Sequence, residues 1–269
     1  MSQRFPTFYI SHGGGPWPWI PEMKQVYTKL EASLKEIPQM LPETPRAILM
    51  VSAHWEEKEF TVSTADRPGM IYDYGGFPPQ TYQIQYPAPG SPDIAQEVQN
   101  ALKAGGLECN LDPNRGYDHG AFVPLYVMYP KANVPVVPLS LKKGLDPAEH
   151  LKMGHALAPL REKGILILGS GSSFHNLRSY FDPKMSVEHS KPFDEWLNKI
   201  VMLKDLKARH QELLDWSKAP GAKNSHPREE HLIPLMVALG AAEDETTTQI
   251  YHEEKFLVGA AMTSFRFGS

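Results

Sequence analysis

The sequence predicts an α/β fold, a single domain over residues 1–269 with a central mixed sheet flanked by helices and a crevice at the strand C-terminal ends. Three observations carry this reading. Short apolar runs rich in β-branched residues alternate with helix-like patterns along the chain. Several of those helical patterns open on Pro or Asp near the first turn, where neither breaks a helix. No repeat, low-complexity tract or convincing linker divides the chain.

Taken in order, strands are expected at Thr7–Ser11, Ala47–Ala53, Val134–Leu141, Ile165–Gly169 and Phe256–Phe267, with a weaker alternating segment at Glu59–Thr64. Helices are expected at Pro21–Glu36, Pro92–Ala104, Ala148–Glu162, Ser190–Val201, Leu206–Asp215 and Glu229–Ala241. Met70–Ser91, with Gly-Gly-Phe-Pro-Pro and Tyr-Pro-Ala-Pro-Gly runs, reads as a long ordered loop over one sheet edge. Ser217–Ser225 is the most polar and least patterned stretch, the candidate mobile loop. The 25 prolines sit mostly at element ends, which predicts well-defined connections.

Hydrophobic residues at 41% and charged residues at 22% are ordinary for a globular chain, and no apolar run approaches the roughly 20 residues of a membrane helix. A formal charge of −4, a pI near 6.3 and scattered Lys and Arg leave no footprint for nucleic acid, so a small molecule is the expected partner. Cys109 is the only cysteine, which excludes an internal disulfide and a cysteine-based zinc cluster. The N-terminus shows no basic segment followed by an apolar stretch, so a reducing, cytoplasmic location is expected. No interface pattern defines an oligomeric state.

The histidines are placed suggestively. His12 follows Phe8-Tyr9-Ile10-Ser11, His54 follows Ile48–Ala53, and His175 follows Ile165–Leu168 through a Gly-Ser-Gly-Ser-Ser turn. Ligands in open α/β sheets bind beyond the carboxyl ends of strands, so three imidazoles delivered there could meet around one cation. A histidine after a strand is commonly a hydrogen-bonded structural residue, and that reading stands for each taken singly. His231 is expected in the first turn of its helix, as a ligand or as an exposed helix-start residue. Asp118-His119-Gly120 reads locally as a capping Asp beside a turn histidine. His150, His155, His189, His210, His226 and His252 lie in polar surroundings and are expected at the solvated surface. Trp17, Trp19 and Trp55 could wall an aromatic pocket or simply pack.

Ser11-His12-Gly13, Ser52-Ala53-His54-Trp55, Tyr72-Asp73-Tyr74-Gly75-Gly76-Phe77-Pro78, Tyr86-Pro87-Ala88-Pro89-Gly90, Asp118-His119-Gly120, Gly169-Ser170-Gly171 with His175-Asn176-Leu177, and Glu230–Leu235 stand in order over nearly the whole chain. This pattern resembles the DOPA-dioxygenase branch of the LigB-like, class III extradiol ring-cleavage dioxygenases. The resemblance implies a one-domain α/β fold and one non-haem metal ion. It further implies a catechol-type substrate, with O2 as co-substrate. It places metal ligands at His12, His54 and His231. His175 becomes a fourth ligand or the acid/base residue, and His119 a catalytic assistant or substrate contact. Trp17 and Tyr74 are expected to wall the substrate ring.

More distant members of the class use two histidines and a glutamate, a set suited to iron(II). His231 stands where that glutamate would be, with Glu230 adjacent, and an all-histidine site also suits zinc. Fe(II) is expected for catalysis, with Zn(II) as an alternative bound species. The chemistry needs open coordination positions and a neutral imidazole that can take a substrate proton and return it. Two other readings compete: a zinc hydrolase, which would lack the usual His-Glu-x-x-His helix, and a non-catalytic binding protein on the same fold.

Overall fold

The computed structural model describes residues 4–269; residues 1–3 of the expected domain lie outside the described residues. Eight strands form one mixed sheet: β1 (Thr7–Ser11), β2 (Ala47–Glu57), β3 (Phe60–Ser63), β4 (Cys109–Asp112), β5 (Val136–Lys142), β6 (Ile165–Gly171), β7 (Thr247–Phe256) and β8 (Ala260–Phe267). Their order is β4-β3-β5-β2-β6-β1-β8-β7. The central β5-β2-β6-β1 block is parallel, while β8 and β7 add antiparallel at one edge and β3 pairs antiparallel with β5 at the other.

The helices are α1 (Pro21–Val26), α2 (Thr28–Glu36), α3 (Pro92–Ala104), α4 (His119–Met128), α5 (Pro147–Leu157), α6 (Pro183–Val201), α7 (Leu206–Leu214), α8 (Ala222–Ser225) and α9 (Ile233–Gly240). They cover both faces of the sheet, which is why the central strands read as unbroken apolar runs. Side chains alternate along each strand. Leu49, Val51, Ile165, Ile167 and Tyr9 enter a cluster with α3, α5, α6 and α9. Ile48, Met50, Leu166, Leu168, Phe8 and Ile10 enter a second cluster with α2 and α4. Each fully buried aliphatic side chain contributes about 1.5–3 kcal/mol relative to exposure, so the parallel strands form a stiff platform for whatever their ends carry.

Several expectations are corrected. The run expected as one strand at Phe256–Phe267 is the end of a hairpin: β7 closes at Phe256 and β8 begins at Ala260. β7 is a polar edge strand whose residues are mostly exposed or half-buried, so it gives no apolar signal. Strand β4 is short and half-exposed for the same reason. The segment after Asp118 is a helix, with Asp118 as its N-cap accepting from Ala121 N at 3.1 Å. It is buried on almost every side, and Gly120 and Pro124 mask its helical character. The expected helix Pro21–Glu36 breaks at Tyr27, and the helix expected from Glu229 begins only at Ile233, leaving His231 in the preceding turn.

Ser217–Ser225, expected as a mobile loop, is folded into hydrogen-bonded turns and α8, with Ala222 and Ser225 buried. His150 and His226 are not at the surface but fully buried. His150 lies 2.7 Å through Nδ1 from the Asp146 carbonyl and accepts from Lys142 N at 3.1 Å. His226 lies 2.9 Å through Nε2 from the Ser173 carbonyl, with its ring against Phe193. In both cases a main-chain partner makes burial affordable, and such a partner has no local sequence mark.

Candidate metal centre

Each histidine reaches the crevice by a different local device. His12 directly follows β1, and its amide continues the β1–β6 ladder by donating to Gly171 O at 3.2 Å. His54 lies inside β2, which runs on to Glu57; the β2–β5 register shifts between Val51 and Glu56, and this irregularity sets His54 apart from the regular pleat. His231 is held by its carbonyl, which accepts from Ser172 N at 3.0 Å and Tyr9 Oη at 2.8 Å. His175 is held by its amide, which donates to Ser225 O at 3.0 Å, so the folded Ser217–Ser225 segment positions it. His119 is the first residue of α4.

Ring nitrogens of His12, His54 and His231 lie within 4.8 Å of one another. The polar contacts at the far side of each ring decide which nitrogens face inward. Ser170 Oγ donates to the Gly120 carbonyl at 2.5 Å, so its lone pair is left for His12 Nδ1–H at 3.1 Å. His231 Nδ1 lies 2.9 Å from Glu230 Oε1, and a carboxylate can only accept. His54 Nδ1 lies 3.2 Å from Asp73 Oδ2. With Nδ1 protonated in all three, each Nε2 presents a bare lone pair.

The Nε2 atoms of His12 and His54 are 3.2 Å apart. Two lone pairs facing at that distance repel unless a cation lies between them. Two imidazole nitrogens bound at about 2.0–2.1 Å to one ion sit about 3.0–3.4 Å apart, so the donor set fits a divalent transition metal. Burial, reinforced by neighbouring imidazoles, pushes the His54 pKa down to about 4 and those of His12 and His231 well below the ordinary range. All three are therefore neutral at neutral pH.

Linkage gives the sign of the pH effect. An imidazole whose folded pKa lies below its ordinary value near 6.5 stabilises the fold fully above that value and loses the contribution as pH falls towards its folded pKa, about 4 for His54. Buried His226, pushed down to about 3, acts in the same direction. The urea midpoint of the metal-free protein is expected to fall as pH is lowered from about 6.5 to about 4. A flat profile over that range would contradict burial of these neutral rings.

His119 and His175 flank the trio at different edges. The His119 ring packs on His54 at 4.0 Å between centroids, and the His175 ring stacks on His231 at 3.4 Å and 15°. Among the described residues, His175 groups with Glu230 and His231 rather than with the three-nitrogen set. A cleft of about 560 Å³ opens beside His175, with Arg178, Lys223, Arg228 and Glu230 on its walls. Burial raises the Glu230 pKa, but the His175 contact, its own main-chain N–H and Arg228 together outweigh it and the net shift is downward.

Trp17, expected as a wall of the substrate slot, is fully buried instead. Its ring stacks on Tyr27 at 4.9 Å and its Nε1–H donates to the His12 carbonyl at 2.9 Å, so it braces the His12 turn. The Tyr74 ring lies 5.9 Å from His119 and 5.5 Å from Phe77, and its hydroxyl donates to Thr81 O at 2.6 Å. Sequence reasoning missed Asp73, Ser170 and Arg115 as functional supports. Arg115 pairs with Asp118, whose Oδ1 accepts from Ser52 Oγ at 2.7 Å.

Gly171 shows how closely the frame fits. A Cβ there would sit 2.1 Å from the His231 carbonyl oxygen, so Gly171→Ala must push the His231 turn away from β6. A loss of about 1–3 kcal/mol in unfolding free energy is expected, as for other overpacked sites, accompanied by weakened metal binding. Unchanged urea midpoint and metal affinity would show that the turn moves freely.

An open α/β sheet bearing a histidine cluster able to hold a metal defines a metalloenzyme architecture, and comparison with known proteins narrows it. Residues 6–264 match the family described as the catalytic LigB subunit of aromatic ring-opening dioxygenase. The chain is 41% identical over 251 residues to the 4,5-DOPA dioxygenase extradiol of Beta vulgaris, covering 91% of this chain and 90% of that protein. It is 40% identical over 265 residues to dioxygenase tasH of Hapsidospora irregularis, covering 93% and 82%. The crystal structure of an uncharacterized Escherichia coli K12 protein aligns with a TM-score of 0.75 at 29% identity, over 98% of this chain and 100% of that one.

The chain belongs to the LigB family. It is a metal-dependent extradiol dioxygenase that opens an aromatic ring of a small molecule with O2. No described helix is long and apolar enough to cross a membrane.

Proposed function

We propose that the substrate is a catechol carrying a polar side chain, of which DOPA is the example named for several relatives, and that Fe(II) is the working metal. The observation that carries this reading is the trio of bare, neutral Nε2 atoms at one focus, with two further imidazoles beside it. His12, His54 and His231 hold the ion. When bound, it would supply a Lewis-acidic, redox-active centre for the substrate and O2. Zn(II) would fit the same nitrogens but cannot change oxidation state.

Tyr74 and Phe77 supply an apolar wall for the ring. His175, held by Ser225 O and Glu230, takes a hydroxyl proton and returns it later, with His119 assisting. The cleft beside His175, with Arg178, Lys223 and Arg228 around it, suits an anionic substituent. The test is oxygen uptake after anaerobic loading with Fe(II), using catechols with and without a carboxylate. Stoichiometric uptake with formation of a ring-opened product supports the reading. Uptake by none of them, or only by catechols that lack a carboxylate, would overturn the proposed substrate.

A further inference from the structure

We infer that Asp73 is a positioning residue that selects the ring tautomer of His54, with its other carboxylate oxygen committed to His119 and so fixing which oxygen faces His54. The inference rests on His54 being a metal ligand. Asp73 sits between Tyr72 and Tyr74, whose hydroxyls donate to Ile84 O and Thr81 O at 2.6 Å each. The loop is thus tied down on both sides of the carboxylate, which leaves it little freedom to turn. Its Oδ1 accepts from the main-chain N–H of His119 at 2.9 Å and lies 2.8 Å from His119 Nδ1. Its Oδ2 lies 3.2 Å from His54 Nδ1. One carboxylate therefore meets two imidazoles, one at the metal focus and one beside it.

The two oxygens are not interchangeable for an amide. Oδ1 must remain an acceptor, because a main-chain N–H points at it and cannot change role. In Asp73→Asn the amide oxygen therefore takes the Oδ1 place, and the NH2 group faces His54 Nδ1. A donor there demands a bare Nδ1, which moves the His54 proton to Nε2, the atom that faces His12 Nε2 at 3.2 Å. That atom then has no lone pair for a cation. In Asp73→Ala the Nδ1–H loses its acceptor, but nothing forces the proton to move. The isosteric variant is the more damaging of the two, the reverse of the order that lost packing produces.

The experiment measures Zn(II) affinity by chelator competition in wild type, Asp73→Asn and Asp73→Ala, with thermal unfolding as a check on folding. Supporting partners of metal-bound histidines contribute about 10–100-fold to affinity. Asp73→Asn is expected to lose about 100-fold and Asp73→Ala about 10-fold. Nitrogen-15 NMR of the metal-free proteins should show His54 protonated at Nδ1 in wild type and at Nε2 in Asp73→Asn. Equal affinity in wild type and Asp73→Asn, or a larger loss in Asp73→Ala, overturns the inference. A His54→Ala variant separates the two layers: if it keeps its metal the ligand assignment itself fails, and if it loses metal while Asp73→Asn does not, only the role of Asp73 fails.

Discussion

His54→Ala is expected to lose more than about 100-fold in metal affinity, beyond what removal of a supporting residue costs. The reason is geometric. The ion would keep two nitrogens, those of His12 and His231, and the 3.2 Å pair between His12 and His54 that defines the focus would be gone. The neighbours cannot substitute from where they stand. Through Nδ1, His119 is committed to Asp73 at 2.8 Å, and its ring packs against the face of the missing His54 rather than aiming at its vacated position. Metal analysis of the purified variant, with chelator competition for the residual affinity, checks this. His12→Ala and His231→Ala should behave alike, because each ring has its own Nδ1 acceptor and faces the same point. Full occupancy in any of the three would remove that residue from the ligand set.

How far the centre could be read from sequence depends on what kind of contact places each residue. His12 and His54 follow or lie within apolar runs that only the middle strands of a parallel sheet show, so the strand period itself carries them to the crevice. His231 was legible through its neighbours Leu232–Leu235, though the helix starts later than the pattern suggests because Pro234 fits the first turn and the residues before Ile233 form a turn. Asp73 was not legible as a partner of His54 and His119. It lies in a loop without periodicity, and nothing local distinguishes a carboxylate that folds back onto imidazoles from one that faces water.

Burial of polar residues was misjudged for a related reason. His150 and His226 stand among charged neighbours in sequence, yet each meets a main-chain group that only the fold brings near. Trp17 was misplaced because an indole beside a glycine turn can face a ligand or brace the turn, and the choice depends on Tyr27 stacking against it. The edge strand β7 escaped because strand signals come from burial of one face, and this strand buries little on either. The central sheet and the clustered histidines are thus properties of local pattern, whereas their supports are properties of tertiary closure.

His175→Ala is expected to retain metal while losing about 10²–10⁴-fold in turnover, the usual contribution of a positioned proton-transfer group. The stacking of its ring decides between its two possible roles. An ion bound to an imidazole lies close to the plane of that ring. The His175 and His231 rings are nearly parallel, 15° apart, with centroids 3.4 Å from each other. Lone pairs lying in two nearly parallel rings point along separate lines rather than at one point, so His175 would not join His231 in holding the ion. The same stacking holds His175 beside the focus, where a catechol oxygen would arrive, and its Nδ1 lies 3.3 Å from Glu230 Oε1, an acceptor that leaves Nε2 as the base. Held by three protein nitrogens, the ion would keep room for substrate and O2 that a fourth nitrogen would reduce. Single-turnover measurement of ring opening in the Fe(II)-loaded variant, beside its metal content, separates the roles. Loss of metal to the extent seen in His54→Ala would make His175 a ligand, and turnover at the unmodified rate would take it out of proton transfer altogether.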